Sequence, residues 1–213
     1  HRVDRRQRQM CIRDRNIIAR MQSLEYDRSF LAARILLDKI NANMIISGAF
    51  GLFEKKTVIA VGGYDNSTMG EDMELVVRLH EFSRMNRKPY KIHFAQDAIC
   101  WSQTPEKLSE LCKQRKRWQR GLFQCMWGHR KMLANPRYGA VGLLSYLYFL
   151  LYELLSPFIE LLGVLTMVLS VVMDMLNVKF MLVFLACYAL YGILLTLTAY
   201  FSRIYTICLL YTF

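Results

Sequence analysis

Gln114-Arg115-Lys116-Arg117-Trp118 stands in the middle of a basic stretch that separates a charged half of the chain from an apolar half. On a helix, positions 114, 117 and 118 fall at i, i+3 and i+4, so an amide, a guanidinium and an indole share one face. Such a face suits a sugar phosphate, because a guanidinium fork matches phosphate oxygens in pairs. Thr104-Pro105-Glu106 predicts the start of this helix, with threonine as N-cap and proline at the first helical position. Between Gln103 and Tyr138 the cations are Lys107, Lys113, Arg115, Lys116, Arg117, Arg120, Arg130, Lys131 and Arg137, against Glu106 and Glu110 alone. Three readings of that excess are open: phosphate binding in a site, attraction to anionic lipid at the cytoplasmic surface, and retention of a following membrane helix by the positive-inside rule.

On the C-terminal side, residues 139–201 carry only Glu153, Glu160, Asp174 and Lys179. Gly139 to Met173 would run roughly 50 Å as straight helix, more than a ~30 Å hydrocarbon core needs. Pro157 predicts a kink there, and Glu153 and Glu160 beside it predict a face turned to protein or water. Asp174 to Lys179 reads as a polar hairpin, and Phe180 to Phe201 as a second span. Cations before the first span and Arg203 after the second predict that both ends are cytoplasmic.

On the N-terminal side, apolar spacing from Ile17 to Ile40 predicts one or two amphipathic helices. Met44 to Phe53 is a β-rich run with Ser47-Gly48-Ala49 at its centre, which reads either as a place of close ligand approach or as a buried strand with a glycine bulge. Val61-Gly62-Gly63-Tyr64-Asp65 predicts a turn, and Gly70-Glu71-Asp72 leads into a helix. The two acids either complement the helix macrodipole or supply a carboxylate that takes a proton from an attacking hydroxyl. Tyr90, Ile92 and Phe94 alternate with Lys91 and His93 as a half-exposed strand entering Ala98 to Trp101. The six cysteines show no metal-ligand spacing and read as reduced thiols. The arginine-rich opening and the close from Tyr205 to Thr212 resemble translated adapter text; a solvated or nucleic-acid-binding arm is the other reading of the opening. The net charge of +11 does not by itself choose among nucleic acid, lipid headgroups and a phosphorylated ligand.

The order Ser47-Gly48-Ala49, Val61 to Asp65, Gly70-Glu71-Asp72, then the Q(Q/R)xRW pattern at Gln114 to Trp118 and membrane helices, resembles the processive, membrane-embedded family 2 glycosyltransferases. That group includes cellulose, chitin, hyaluronan and poly-N-acetylglucosamine synthases. The resemblance implies an α/β fold class, the C-terminal part of a GT-A-type domain, followed by helical membrane segments. It implies a non-native or disordered basic end over 1–15, the acceptor-side half of the catalytic domain over 16–103, and basic interface helices over 104–138. Two membrane helices follow within 139–201, at about 142–173 and 180–201, and then a non-native tail over 202–213. Asp72 matches the family's catalytic base and Glu71 would support it. Gln114, Arg115 and Arg117 would lie against the nucleotide diphosphate, Trp118 under the acceptor sugar, and Ser47 and Gly48 at the acceptor-side floor.

The implied partners are a nucleotide-sugar donor, UDP-linked, a polysaccharide acceptor and membrane lipid, with no nucleic acid. The implied place is the inner or plasma membrane, multi-pass, with the catalytic part cytoplasmic. Mg²⁺ or Mn²⁺ would be held by an upstream DxD, and no DxD occurs in this sequence. The isolated chain is therefore expected to be inactive, the donor and metal half belonging to the parent protein. A non-enzymatic channel or transporter subunit explains the spans and the charge, and a membrane-tethered nucleic-acid binder explains +11. Neither accounts for Gly-Glu-Asp and QRKRW in this order.

Overall fold

The computed structural model describes residues 17–28, 34–46, 48, 51–88, 90–94 and 104–212, with side chains except at 27, 28, 199, 200 and 202–212. Two compact units divide between Leu147 and Tyr148. The first holds α1 (Ile17–Arg28), α2 (Ile35–Lys39), α3 (Lys55–Ala60), α4 (Glu71–Met85) and α5 (Leu108–Gly128), followed by tight 3₁₀ turns at Arg130–Met132 and Pro136–Tyr138. A partly π-wound helix, α6 (Val141–Leu154), begins in this unit. The second unit contains α7 (Ser156–Val172) and α8 (Val178–Thr212).

The expected α/β class is corrected: no strand occurs among the described residues, and the architecture they form is helical. Segments 42–46 and 90–94 are non-helical, as a strand reading requires, but no backbone ladder joins them. Side chains take the ladder's place. Asn41 Nδ2 donates to Tyr90 O at 3.0 Å, Ile92 N donates to Asn41 Oδ1 at 2.9 Å, and Phe94 N donates to Asp38 Oδ1 at 2.7 Å. The Asn43 carbonyl is paired with His80 Nε2 at 2.7 Å, and the Ala42 carbonyl accepts from Ser145 Oγ. These backbone groups are thereby satisfied without a neighbouring strand. Residues 49, 50 and 95–101 of the two expected strands lie outside the described residues.

α4 is the centre of the first unit. Leu75, Val76 and Leu79 bury one side of it with Ile92, and Ile46, Phe53, Val58, Val61 and Tyr90 pack around them. Each such burial is worth about 1.5–3 kcal/mol. Gly70 caps α4 without a side chain, so its start relies on Glu71, Asp72 and Glu74 in the first turn, which complement the macrodipole. The turn before it folds as expected: Gly62 and Gly63 take φ of 92° and 76°, conformations that favour glycine. Arg78 of α4 pins that turn, donating to Val61 O at 2.9 Å and Gly63 O at 2.7 Å.

α5 starts at Leu108 rather than at Pro105, with Lys107 in extended geometry before it. The cause is upstream: the Pro105 carbonyl accepts from Gln22 Nε2 of α1 at 2.9 Å, which holds the chain outside the helix. The first turns of α6 are embedded in the first unit, where Val141, Ser145 and Tyr146 are buried and the Tyr146 hydroxyl donates to Met126 O.

The second unit is apolar and exposed along both helices, with most of the described large side chains from Phe158 to Phe201 open over roughly half or more of their surface. Apolar surface of that extent calls for a cover other than water. Among the described residues one helix, Val178–Thr198, is long and apolar enough to cross a membrane, or two if the bent pair Val141–Leu154 and Ser156–Val172 forms one span. That pair bends by 49° where Pro157 opens α7. Asn177 caps α8, its Oδ1 accepting from Phe180 N at 3.2 Å.

Candidate active site

Two glycines bring the two motifs together. A Cβ on Gly121 of α5 would lie 2.7 Å from Gly70 N and 2.8 Å from Gly70 Cα, so the backbones of α5 and of the residue before α4 touch. Beside this contact Met69 N donates to Gln124 Oε1 at 2.9 Å. Gly70-Glu71-Asp72 is thereby seated against the helix that carries Gln114 to Trp118. Positions 114, 117, 118, 121 and 125 follow one another at helical spacing, so they share the face that Gly121 turns to Gly70.

Asp72 is half-buried in the first turn of α4 and held by two backbone donors. Its Oδ2 accepts from Gly48 N at 3.1 Å and its Oδ1 from Met73 N at 2.8 Å. Each oxygen keeps a further lone pair for a substrate hydroxyl. Gly48 is fitted to this carboxylate, for a Cβ there would meet Asp72 Cβ at 3.2 Å and Oδ2 at 3.3 Å. Ser47 lies outside the described residues. Glu71 is exposed next to Asp72.

On α5, Gln114 Oε1 is buried and accepts no hydrogen bond from any described residue. Trp118 is partly open at 40% exposure, enough to offer one surface of its indole. Arg117 is exposed and forms no ion pair among the described residues. Arg115 is paired instead: both its terminal nitrogens bind Glu25 of α1, at 2.7 and 2.6 Å.

Below the motif, α4 and the end of α5 are joined by a partly buried charge cluster that sequence reasoning missed. His129 Nδ1 lies 2.6 Å from Glu81 Oε2 and His129 Nε2 3.4 Å from Glu74 Oε1, while Glu74 also pairs with Arg78 at 2.7 Å. Burial works to lower the His129 pKa, but the hydrogen bonds and charges of Glu74 and Glu81 outweigh it and raise the value. Cys125, facing the same seam, has its thiol pushed up to about 12 by burial first and then by the charges of Glu74 and Asp72. It is an inert packing residue. On the far side of α4, His80 Nε2 donates to Asn43 O and His80 Nδ1 accepts from the Tyr90 hydroxyl at 2.7 Å. Burial holds His80 down at about 4, so it is neutral at ordinary pH.

Gly121 was findable from sequence. A glycine inside a helix costs about 1 kcal/mol relative to alanine, and this one lies seven residues after Gln114 on the motif's own face. Glu25 and His129 carry no such mark.

The sequence profile described as "Glycosyl transferase family group 2" matches residues 7–213. The chain belongs to that family. It is 32% identical over 120 residues to a protein of Staphylococcus aureus (strain COL) named poly-beta-1,6-N-acetyl-D-glucosamine synthase, a match that covers 56% of this chain and 26% of the relative. The protein of the same name from Staphylococcus epidermidis (strain ATCC 35984) is 31% identical over 120 residues, with the same coverage. The chain thus spans about a quarter of the length of the curated relatives it matches. No solved structure matches it.

The family's divalent metal does not fit the described residues. Among the described residues no three His, Cys, Asp or Glu side chains converge on one point. The Glu74, Glu81 and His129 group fails because the two ring nitrogens of His129 face different carboxylates, leaving no shared centre.

Proposed function

We propose that the full-length protein transfers a sugar from a nucleotide-sugar donor, UDP-linked, to the end of a growing polysaccharide, with inversion at the anomeric carbon. N-acetylglucosamine is the sugar indicated by the name of the staphylococcal relatives. The observation that carries this reading is the backbone contact of Gly70 with Gly121, which sets the Asp72 carboxylate beside the helix of the QRKRW motif. Asp72 takes the proton of the acceptor hydroxyl as its oxygen attacks the anomeric carbon, and the bond to the nucleotide diphosphate breaks on the opposite side. Arg117 meets the charge of the departing diphosphate, where a guanidinium stabilises what develops in the transition state. Trp118 stacks on the acceptor ring, and the buried Gln114 Oε1 accepts from a ligand hydroxyl or N–H.

The apolar helices are assigned to the inner or plasma membrane, the basic residues Arg130, Lys131 and Arg137 ahead of α6 supporting a cytoplasmic position for the site. Activity is assigned to the full-length protein, and the isolated chain is expected to turn over no nucleotide sugar. The test is UDP-N-acetylglucosamine consumption by membranes bearing the full-length protein, with UDP-glucose in parallel. Asp72→Asn is expected to lower turnover by at least ~10² while the protein stays folded. Turnover that survives Asp72→Asn refutes the mechanism, and turnover of UDP-glucose alone refutes the choice of sugar.

A further inference from the structure

One face of α1 is built onto the motif helix through three side chains spaced at i, i+3 and i+4. Gln22, buried, donates to the Pro105 carbonyl just ahead of α5. Glu25 takes both terminal nitrogens of Arg115 in a two-point pair at 2.7 and 2.6 Å. Tyr26 sets its ring 6.4 Å from that of Trp118, at an interplanar angle of 47°. The Arg115 guanidinium, held by Glu25, lies 4.9 Å from the centroid of the Trp118 ring. The indole is thus braced by a cation and by a second aromatic, both under the control of α1. A guanidinium with its fork already filled by a carboxylate is a poor ligand for a phosphate, whereas Arg117, two residues on, has no ion pair among the described residues.

We propose that Glu25 is a positioning residue: it fixes Arg115 and, together with Tyr26, sets the orientation in which Trp118 presents its indole to the acceptor, leaving Arg117 as the guanidinium of the motif that meets the diphosphate. This rests on the glycosyl-transfer reading above. It divides the two arginines of QRKRW between different ligands. Arg115 acts on the acceptor through Trp118, and Arg117 acts on the nucleotide directly.

The test uses the full-length protein and two binding probes, UDP and a β-1,6-linked N-acetylglucosamine tetramer, titrated separately. Glu25→Gln and Arg115→Gln are each expected to weaken tetramer binding about tenfold and to leave UDP within about twofold, whereas Arg117→Gln weakens UDP about tenfold. The double variant Glu25→Gln/Arg115→Gln is expected to be no weaker than either single change, because all three break one contact. Glu25→Asp, which keeps the charge, is expected to recover part of the tetramer affinity. Thermal midpoints within a few degrees of the parent separate these effects from unfolding.

If Arg115→Gln weakens UDP as Arg117→Gln does while Glu25→Gln changes nothing, Arg115 is a diphosphate ligand and the proposal is wrong. A parent protein that does not bind the tetramer also overturns it. A parent that binds both probes with the expected variant pattern, yet consumes no nucleotide sugar, upholds the positioning role and refutes the transfer reading instead.

Discussion

Replacing Gly121 with alanine tests the contact on which the site depends. The added methyl would sit 2.7 Å from Gly70 N, 2.8 Å from Gly70 Cα and 3.1 Å from Met69 C, all of them backbone atoms that cannot rotate away. Ordinary contact needs several tenths of an ångström more, so α5 and the start of α4 must separate. Overpacking of this kind costs about 1–3 kcal/mol, and loss of the Met69 to Gln124 hydrogen bond adds about 1 kcal/mol. Against this, alanine is favoured over glycine inside a helix by about 1 kcal/mol. The net expectation is a destabilisation of about 1–3 kcal/mol. Gly128 on the same helix is the matched control, since a Cβ there meets nothing within 4 Å. Gly128→Ala is expected to be neutral or stabilising by up to about 1 kcal/mol. Thermal unfolding in detergent reads the difference, at about 2–4 °C per kcal/mol for a chain of this length. Sugar-nucleotide turnover by the full-length protein should fall with Gly121→Ala and hold with Gly128→Ala. Equal stability and equal turnover of the two variants would refute the claim that the motifs meet through this glycine pair.

Gly48→Ala places a methyl against Asp72 Cβ and Oδ2 at 3.2 and 3.3 Å, so turnover is expected to drop at least ~10-fold with little change in melting temperature. His80, lowered from 6.5 to about 4, is protonated more readily in the unfolded chain, so stability is lost as pH falls from about 6.5 through 4. The full loss is about 3 kcal/mol, and His80→Gln should remove that acid limb from a plot of melting temperature against pH. His129 has a raised value, so its contribution is fully present below 6.5 and is lost as pH rises through the folded value. The stability gap between the parent and His129→Gln should therefore narrow from pH 6 to pH 8, and a gap that widens would contradict the Glu74 and Glu81 pairing.

The helical placement of the candidate site residues was legible because its signals are local. Gln114, Arg117 and Trp118 declare a shared face by spacing alone, and Gly62-Gly63 and Gly70-Glu71-Asp72 declare a turn and a helix start. The strands were misread for a physical reason. Alternating apolar residues at Tyr90, Ile92 and Phe94 fit a ladder, but they equally fit a segment tied down by Asn41 and Asp38 side chains about fifty residues away. Thr104-Pro105 has every local mark of a helix start, and a single hydrogen bond from Gln22 overrides it. The Glu25 to Arg115 pair spans ninety positions, and nothing near either residue records the other. What the sequence concealed was long-range polar pairing, which leaves no periodicity.

The seam between α4 and α5 combines one steric contact with several polar ones, and the two kinds should respond differently to change. From Gly121 to His129, α5 and the residue after it are secured by Gly70 against Gly121, Met69 to Gln124 and His129 to Glu81 on the α4 side, and by the Tyr146 hydroxyl to Met126 O on the α6 side. Each ordinary hydrogen bond is worth about 0.5–1.5 kcal/mol net, so losing one leaves the others to hold the helix where it is. A methyl at Gly121 is not a loss that neighbours can offset. It makes the observed spacing unattainable, and the adjoining Met69 to Gln124 hydrogen bond must then lengthen or break. The register of Asp72 against Gln114, Arg117 and Trp118 is therefore set by the absence of a side chain at Gly121, and the hydrogen bonds keep in place what the glycine permits.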